Sequence, residues 1–404
     1  MNNPKSLYLD NQASTPMDPK VIDLVYDVMK NTYGNPHSRS HKFGWDAEEI
    51  IEKARLQIAN VINASASEIV FTSGATESNN MAIKGVWEFL PQKNHIITSC
   101  IEHKCLLESC RYLGGKGVEV TYIKPNKDGL IDPQEIKSAI KSNTLMVSII
   151  AVHNEIGTIQ DMKTIGQITR EAGVYFHSDC AQAFGKIDLD VEECNIDLIS
   201  ISGHKIYGPK GIGALYIRKK PRVRIKPLIH GGGQERGMRS GTLPTPIIAG
   251  FGLAAQICQE TMHDEHKRLS HLSAKLIDSI TSKHKDVFLN GSREKRYPGN
   301  VNLSFSYIEG ESFLMGLKGI AVSSGSACTS ASLEPSYVLK SLGLSDELAS
   351  SSIRFGLGRF TTEEDVNYTI ETVNNLVTKL REMSPLWEMV QNGVDLSKVK
   401  WTEH

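Results

Sequence analysis

Short apolar runs alternate with amphipathic stretches through the first half of this chain, and that alternation constrains the fold more than any other feature. Runs at 68–72, 95–99, 118–123, 145–152, 174–178 and 197–202 are rich in Val, Ile and Leu, and another follows at 214–218. Stretches with helical spacing separate most of them, the clearest at 132–141 and 162–172. Strands that alternate with helices and are apolar on both faces build a mostly parallel sheet covered by helices on both sides. The expected class is α/β, with a seven-stranded type of sheet. Two helices, 18–32 and 38–62, precede it, the first opened by Asp18 as cap and Pro19 as first helical residue.

In such sheets ligands lie in the crevice beyond the carboxyl ends of the strands, so the residues that follow each run predict a pocket. They are Gly74-Ala75-Thr76, Glu102-His103-Lys104, His153-Asn154-Glu155, Asp179-Cys180-Ala181-Gln182 and Ser202-Gly203-His204-Lys205. One polar residue in such a place is ordinarily a cap or a satisfied turn. Five groups on one rim, with a lysine among them, favour a cofactor pocket. Burial disfavours the charged form of a lysine at the mouth of an apolar strand, which makes Lys205 a nucleophilic amine of the kind that forms Schiff bases. The stretch is not a phosphate-binding P-loop. Gly203 and Gly208 have the spacing, but Pro209 follows with no N–H to offer, and no Lys-Ser/Thr pair comes next.

The remaining chemistry fits pyridoxal 5′-phosphate, which needs a lysine and a carboxylate to keep its pyridine nitrogen protonated. The small-residue turn 73–76 enters a helix, where backbone N–H groups hold an anion, and Thr76, Ser202 and His204 complete a phosphate cradle. His103 is placed to stack on the ring or to move protons.

Composition removes several other classes. With 45 basic and 46 acidic residues, no nucleic-acid or anionic membrane surface is implied. No run of 18 apolar residues spans a membrane. The N-terminus enters a strand almost at once, which points to a bacterial cytoplasm, or to the mitochondrial matrix if a transit peptide belongs in front. Seven cysteines, an odd number, favour free thiols. Cys100, Cys105 and Cys110 recur every five residues, a spacing that suits no zinc site, and read as small apolar residues.

Cys328 reads differently. Its segment, 323–332, is built from Ser, Gly, Ala and Thr after a short strand at 320–322, a composition of exposed loops. A free cysteine among hydroxyls reads as reactive rather than structural. A thiol of pKa ~8.5 is only partly ionised near neutrality, so a base must help, and His103 is the candidate.

Ser-Gly-His-Lys with Gly-Pro-Lys-Gly, the Gly-Ala-Thr-Glu turn, Asn-Glu-Ile-Gly at 154–157 and Asp-x-x-Gln at 179–182 resemble the cysteine desulfurases among the fold-type I pyridoxal phosphate enzymes. The stretches 230–242 and 323–332 narrow the resemblance to the IscS type, class V aminotransferase-like, over essentially the whole chain. The resemblance implies that Lys205 holds the cofactor, Asp179 pairs with the pyridine nitrogen, and Gln182 and Asn154 bond the ring oxygen. It implies a phosphate site from Ala75, Thr76, Ser202 and His204, completed by Thr242 of a second subunit in a homodimer. Arg354 and Asn154 would bind the substrate, L-cysteine, and Cys328 would take its sulfur as a persulfide while alanine leaves. Sulfur would pass to an IscU-like iron–sulfur scaffold, with Cys328 as a transient [2Fe–2S] ligand, and to tRNA thiolation. The departures are Asn11-Gln12 near the substrate entrance, His153 before Asn154, and Cys180 after Asp179, where Ala is usual; Cys180 reads as inert packing. An aminotransferase or selenocysteine lyase of the same fold would share the cofactor set without needing Cys328. A non-enzymatic assembly scaffold should have lost Lys205 or Cys328, and both are present.

The rest of the chain reads as one or more long helices over 245–282, then strands at 287–289, 300–306, 320–322 and 352–356, then a closing helix at 363–383. The expected division is a large cofactor domain, 18–256, and a smaller α+β domain from 1–17 and 257–404 that carries the 323–334 loop. The tail, 384–401, is expected to follow a complete fold and to dock the scaffold through Trp387, Met389, Val390, Leu396 and Trp401.

Overall fold

The computed structural model describes residues 6–324 and 335–394, and its architecture is α/β as expected. β1 (Leu7–Tyr8) precedes the two N-terminal helices, Pro19–Asn31 and Lys42–Val61. Asp18 caps the first by accepting from Lys20 N at 3.0 Å. The second starts later than expected, at Lys42, because His41 supplies its cap.

β2 (Ile69–Thr72), β3 (His95–Ser99), β4 (Glu119–Ile123), β5 (Thr144–Ser148), β6 (Tyr175–Asp179), β7 (Leu198–Ser202) and β8 (Gly213–Ile217) form one sheet in the order β2-β8-β7-β6-β5-β3-β4. β8 alone runs against its neighbours. Alternate residues along each strand supply the two faces. Phe71, Ile199 and Ile201 join the core with the helices Lys42–Val61 and Thr245–Lys283, while Val70, Leu198 and Leu215 pack with Met81, Ile83 and Leu106. β5 is shorter than the apolar run at 145–152. Beyond Ser148 the chain still donates from Ile149 and Ala151 to β6 carbonyls, but its other side turns to bridge Val152 with Ile159.

The second half builds a separate antiparallel sheet. β9 (Val287–Leu289), β10 (Asn300–Phe305), β11 (Ile320–Ala321), β12 (Ser323–Ser324) and β13 (Ser352–Gly356) follow the helix Thr245–Lys283. The sheet order is β12-β13-β10-β9, and β11 instead pairs in parallel with β1. That pairing, together with hydrogen bonds from Asn11 to the Gly356 carbonyl, carries the N-terminal segment into the region between the two sheets. The closing helix, Glu363–Glu382, packs on the long helix.

The tail is not wholly external to this fold. A short helix, Pro385–Gln391, follows at once, and Trp387 lies 5.6 Å from the Tyr307 ring and 4.6 Å from the Arg381 guanidinium. Met389 and Val390 are half-buried, and Leu396 and Trp401 lie outside the described residues. No helix among the described residues is long and apolar enough to cross a membrane.

Candidate active site

The carboxyl ends of β2, β3, β6 and β7 meet segments from the antiparallel half around a cavity of about 570 Å³. Ala75, Thr76, His103, Asn154, Asp179, Gln182, Ser202, His204, Lys205 and Arg354, all expected from the sequence, line it together. Thr242 does not; it sits on an exposed segment outside the cavity of its own chain. Cys328 lies outside the described residues.

Lys205 stands in the single turn after β7, and its Nζ donates to the carbonyls of Gln12 at 2.6 Å and Ala13 at 2.8 Å. His204 Nδ1 lies 3.2 Å from Ser14 Oγ, and burial, reinforced by Lys205, Lys210 and Lys186, draws its pKa down to about 4. His204 is therefore neutral over the physiological range. Gly74, with φ +152°, opens the helical run that begins at Ala75, and Ser202 Oγ lies 3.8 Å from where its Cβ would stand. A side chain there would be strained and would enter the cradle. Glu77, next along that helix, binds Ser73 N at 2.6 Å and Arg239 at 2.9 Å. Burial works against its ionisation, yet those bonds hold its pKa below the usual carboxylate value.

Asp179 is buried, and its two oxygens are separately occupied: Asn79 Nδ2 donates to one at 2.7 Å and Ala181 N to the other at 3.0 Å. Asn79 also donates to Cys105 Sγ at 3.1 Å, and that sulfur is 3.0 Å from His103 Nδ1. His103 caps the helix Lys104–Gly114, accepting from Cys105 N at 3.3 Å. The imidazole, thiol and carboxylate ligand atoms come within 4.8 Å of one another. Cys105 thus belongs to the cavity rather than to the apolar packing its spacing suggested. Its place two residues after a strand-end histidine was the signal, and a test of cysteine spacing alone could not register it. Cys180, by contrast, is packing: it is fully buried, and burial pushes its thiol pKa far up.

Arg354, on β13, is 1% exposed and reaches the cavity from the other half of the molecule. Nη2 donates to Asp10 Oδ1 at 2.7 Å and Nη1 to the Asn154 carbonyl at 3.0 Å, while Nε has no partner among the described residues. Asp10 also accepts from Ser323 Oγ at 2.9 Å. Asp10 as partner of Arg354 and the Gln12 carbonyl as partner of Lys205 were not expected, because the β1–β11 pairing and the Asn11–Gly356 bonds that bring the N-terminal segment here join distant parts of the chain.

The aminotransferase class-V family model matches residues 7–369. The chain is 59% identical to the cysteine desulfurase IscS of Rickettsia bellii (strain OSU 85-389), over 98% of this chain and 97% of that one. It is 57% identical to the cysteine desulfurase IscS of Rickettsia felis (strain ATCC VR-1525 / URRWXCal2), over 100% and 99%. Among solved structures, a NifS-like protein superposes with a TM-score of 0.86 at 36% identity, covering 93% of this chain and 100% of its own. SspA in complex with cysteine superposes with a TM-score of 0.79 at 40% identity, over 88% and 100%. Fold, cavity and sequence likeness agree: the chain belongs to the aminotransferase class-V family, within its IscS-type cysteine desulfurases.

Proposed function

We propose that the cavity takes pyridoxal 5′-phosphate and that the chain converts L-cysteine to L-alanine, its sulfur passing to Cys328. The observation that carries this reading is the convergence of Lys205, the buried carboxylate of Asp179 and the buried guanidinium of Arg354 on one cavity. The donor set fits the cofactor. Asp179, steadied by Asn79 and Ala181, suits a protonated pyridine nitrogen. Ala75, Thr76 and Ser202, with neutral His204, suit a phosphate at the start of a helical run. Gln182 and Asn154 would bond the ring oxygen, and His103 would cover the ring. The exposed position of Thr242 supports its serving the cavity of a second copy in a homodimer.

When bound, the cofactor supplies a sink for the electron pair left at the substrate α-carbon. Lys205 would hold the cofactor, and its amine, when free, would take up the substrate α-proton on Nζ. The Gln12 and Ala13 carbonyls keep that amine at the cavity rim. Arg354 pairs with the substrate carboxylate, and its unpartnered Nε leaves a donor for it. The Cys328 thiolate, with His103 as the base, attacks the substrate sulfur. An S–S bond forms as the C–S bond breaks, the carbon keeps the electron pair and is protonated, and alanine leaves with Cys328 as a persulfide. Cys328 then hands sulfur to an iron–sulfur scaffold protein, binding its cluster transiently.

The proposed division at 18–256 and at 1–17 with 257–404 is supported by the separation of the two larger sheets, one in each part. The Thr245–Lys283 helix crosses the border. Substrate binding between the parts follows from Lys205 belonging to one and Arg354 to the other.

With L-cysteine and a reductant, the protein should release sulfide and alanine in equal amounts. Lys205→Ala should lose the visible absorption of the holoprotein and all turnover. Cys328→Ala should keep the absorption and release no sulfide. Sulfide release by Cys328→Ala at the parent rate would overturn the thiol step and favour a lyase of the same fold.

A further inference from the structure

Lys186 is 8% exposed, yet among the described residues no carboxylate oxygen lies within 4.0 Å of its Nζ. Its nearest engagements are the amide oxygen of Gln182, at 2.7 Å, and the Tyr297 ring, whose centroid is 5.3 Å away. The titrating and charged groups that act on it are Lys205, Cys258, Arg354 and Glu265, and burial reinforced by Lys205 draws its pKa down to about 7. An unpaired cation in such a place costs stability that a methionine of similar volume would not. Packing alone does not account for it.

The hydrogen bonds show what the amine does. Gln182 Nε2 donates to the Gln12 carbonyl at 2.8 Å, and the same carbonyl accepts from Lys205 Nζ at 2.6 Å. Protonated, as it is below a pH of about 7, the Lys186 amine can only donate, and a backbone carbonyl can only accept. Held between the two, the Gln182 amide has one orientation: oxygen toward Lys186, nitrogen toward Gln12. Without Lys186 the amide is free to turn over, and its oxygen would then face the carbonyl oxygen of Gln12.

We propose that Lys186 is a positioning residue that locks the Gln182 amide so that it offers the cavity a donor and steadies the carbonyl that anchors Lys205. This rests on the reading of the cavity as a cofactor site. A donor directed at the ring oxygen favours the deprotonated form of the lysine-bound cofactor, so loss of the donor should raise the pH at which the visible absorption of the holoprotein changes.

The test is a spectrophotometric pH titration of reconstituted parent, Lys186→Met, Gln182→Ala and the double variant, with the affinity of each apoprotein for pyridoxal phosphate. Lys186→Met should raise the midpoint by about one pH unit, a tenfold change, as loss of a charge-assisted bond implies. Its apoprotein should bind the cofactor more weakly. In the Gln182→Ala background the same change should move the midpoint no further. A Lys186→Met midpoint equal to that of the parent, whatever the melting temperature does, overturns the proposal. So does a full additional shift in the double variant, since Lys186 would then act as a charge and not through Gln182. Should Lys186→Met not fold, Gln182→Leu must by itself show the upward shift, and a parent-like midpoint there is equally decisive against it. A parent protein with no visible absorption after reconstitution would instead refute the cofactor reading.

Discussion

Glu102, fully buried beside His103, shows how much a single side chain here depends on its surroundings. Ser99 Oγ and Ile150 N donate to its Oε1 at 2.6 and 3.0 Å, while Oε2 has no partner among the described residues. Burial outweighs those bonds and, with a contribution from Asp179, raises its pKa from 4.5 to about 8. A carboxyl that holds its proton more tightly folded than unfolded contributes stability that is complete below 4.5 and lost as pH rises through about 8. Glu102→Gln keeps the shape and removes the titration. It should gain on the parent protein in melting temperature as pH goes from 5 to 8, by several degrees. A difference that stays flat across that window would show that Glu102 carries no proton in the fold. At this scale the sequence was legible for strand-end residues and silent for their neighbours. Asp179 and Lys205 follow apolar runs, whereas Asn79 and Lys186 are on a helix and a turn whose orientation no local pattern records.

Among the elements, the helix Thr245–Lys283 does the most to hold the site in place. It spans 39 residues, and glycines in its first turns let it approach its neighbours closely. A Cβ on Gly250 would meet Val25 Cγ2 at 2.5 Å and Pro209 Cγ at 2.9 Å, immediately behind the Lys205 turn. A Cβ on Gly252 would meet the Ala54 Cα at 2.5 Å, a backbone atom that moves only if the two helices part. Gly252→Ala should therefore destabilise the protein by about 1–3 kcal/mol despite its better helix propensity. Its visible-absorption midpoint should stay at the parent value, because neither Gly252 nor Ala54 lines the cavity. Thermal unfolding checks the first expectation and the pH titration the second; a stabilised variant would mean that the helices have room to adjust. The periodicity at 245–282 was readable as helical, but not that one unbroken helix crosses between the two halves.

At the scale of the whole molecule, the N- and C-terminal segments both return to the fold. Trp387 packs against Tyr307 and Arg381, so the expectation that the fold is complete at 384–385 misses a packed helix. Truncation after Ser384 should lower the melting temperature by a few degrees relative to the full chain. Equal stability of the two would restore a purely external tail, and calorimetry distinguishes them. The amino-acid sequence by itself determined the strands, most of the helices and the polar residues at the strand ends. Those features depend on local periodicity and on turn chemistry, which a few neighbouring residues suffice to specify. Only the tertiary structure decided the strand order, the pairing of Asp10 with Arg354, the hold of the Gln12 carbonyl on Lys205, and the line from Lys186 through Gln182 to that carbonyl. Each joins segments far apart in the chain, and which of them meet is set by the register and packing of whole sheets and helices.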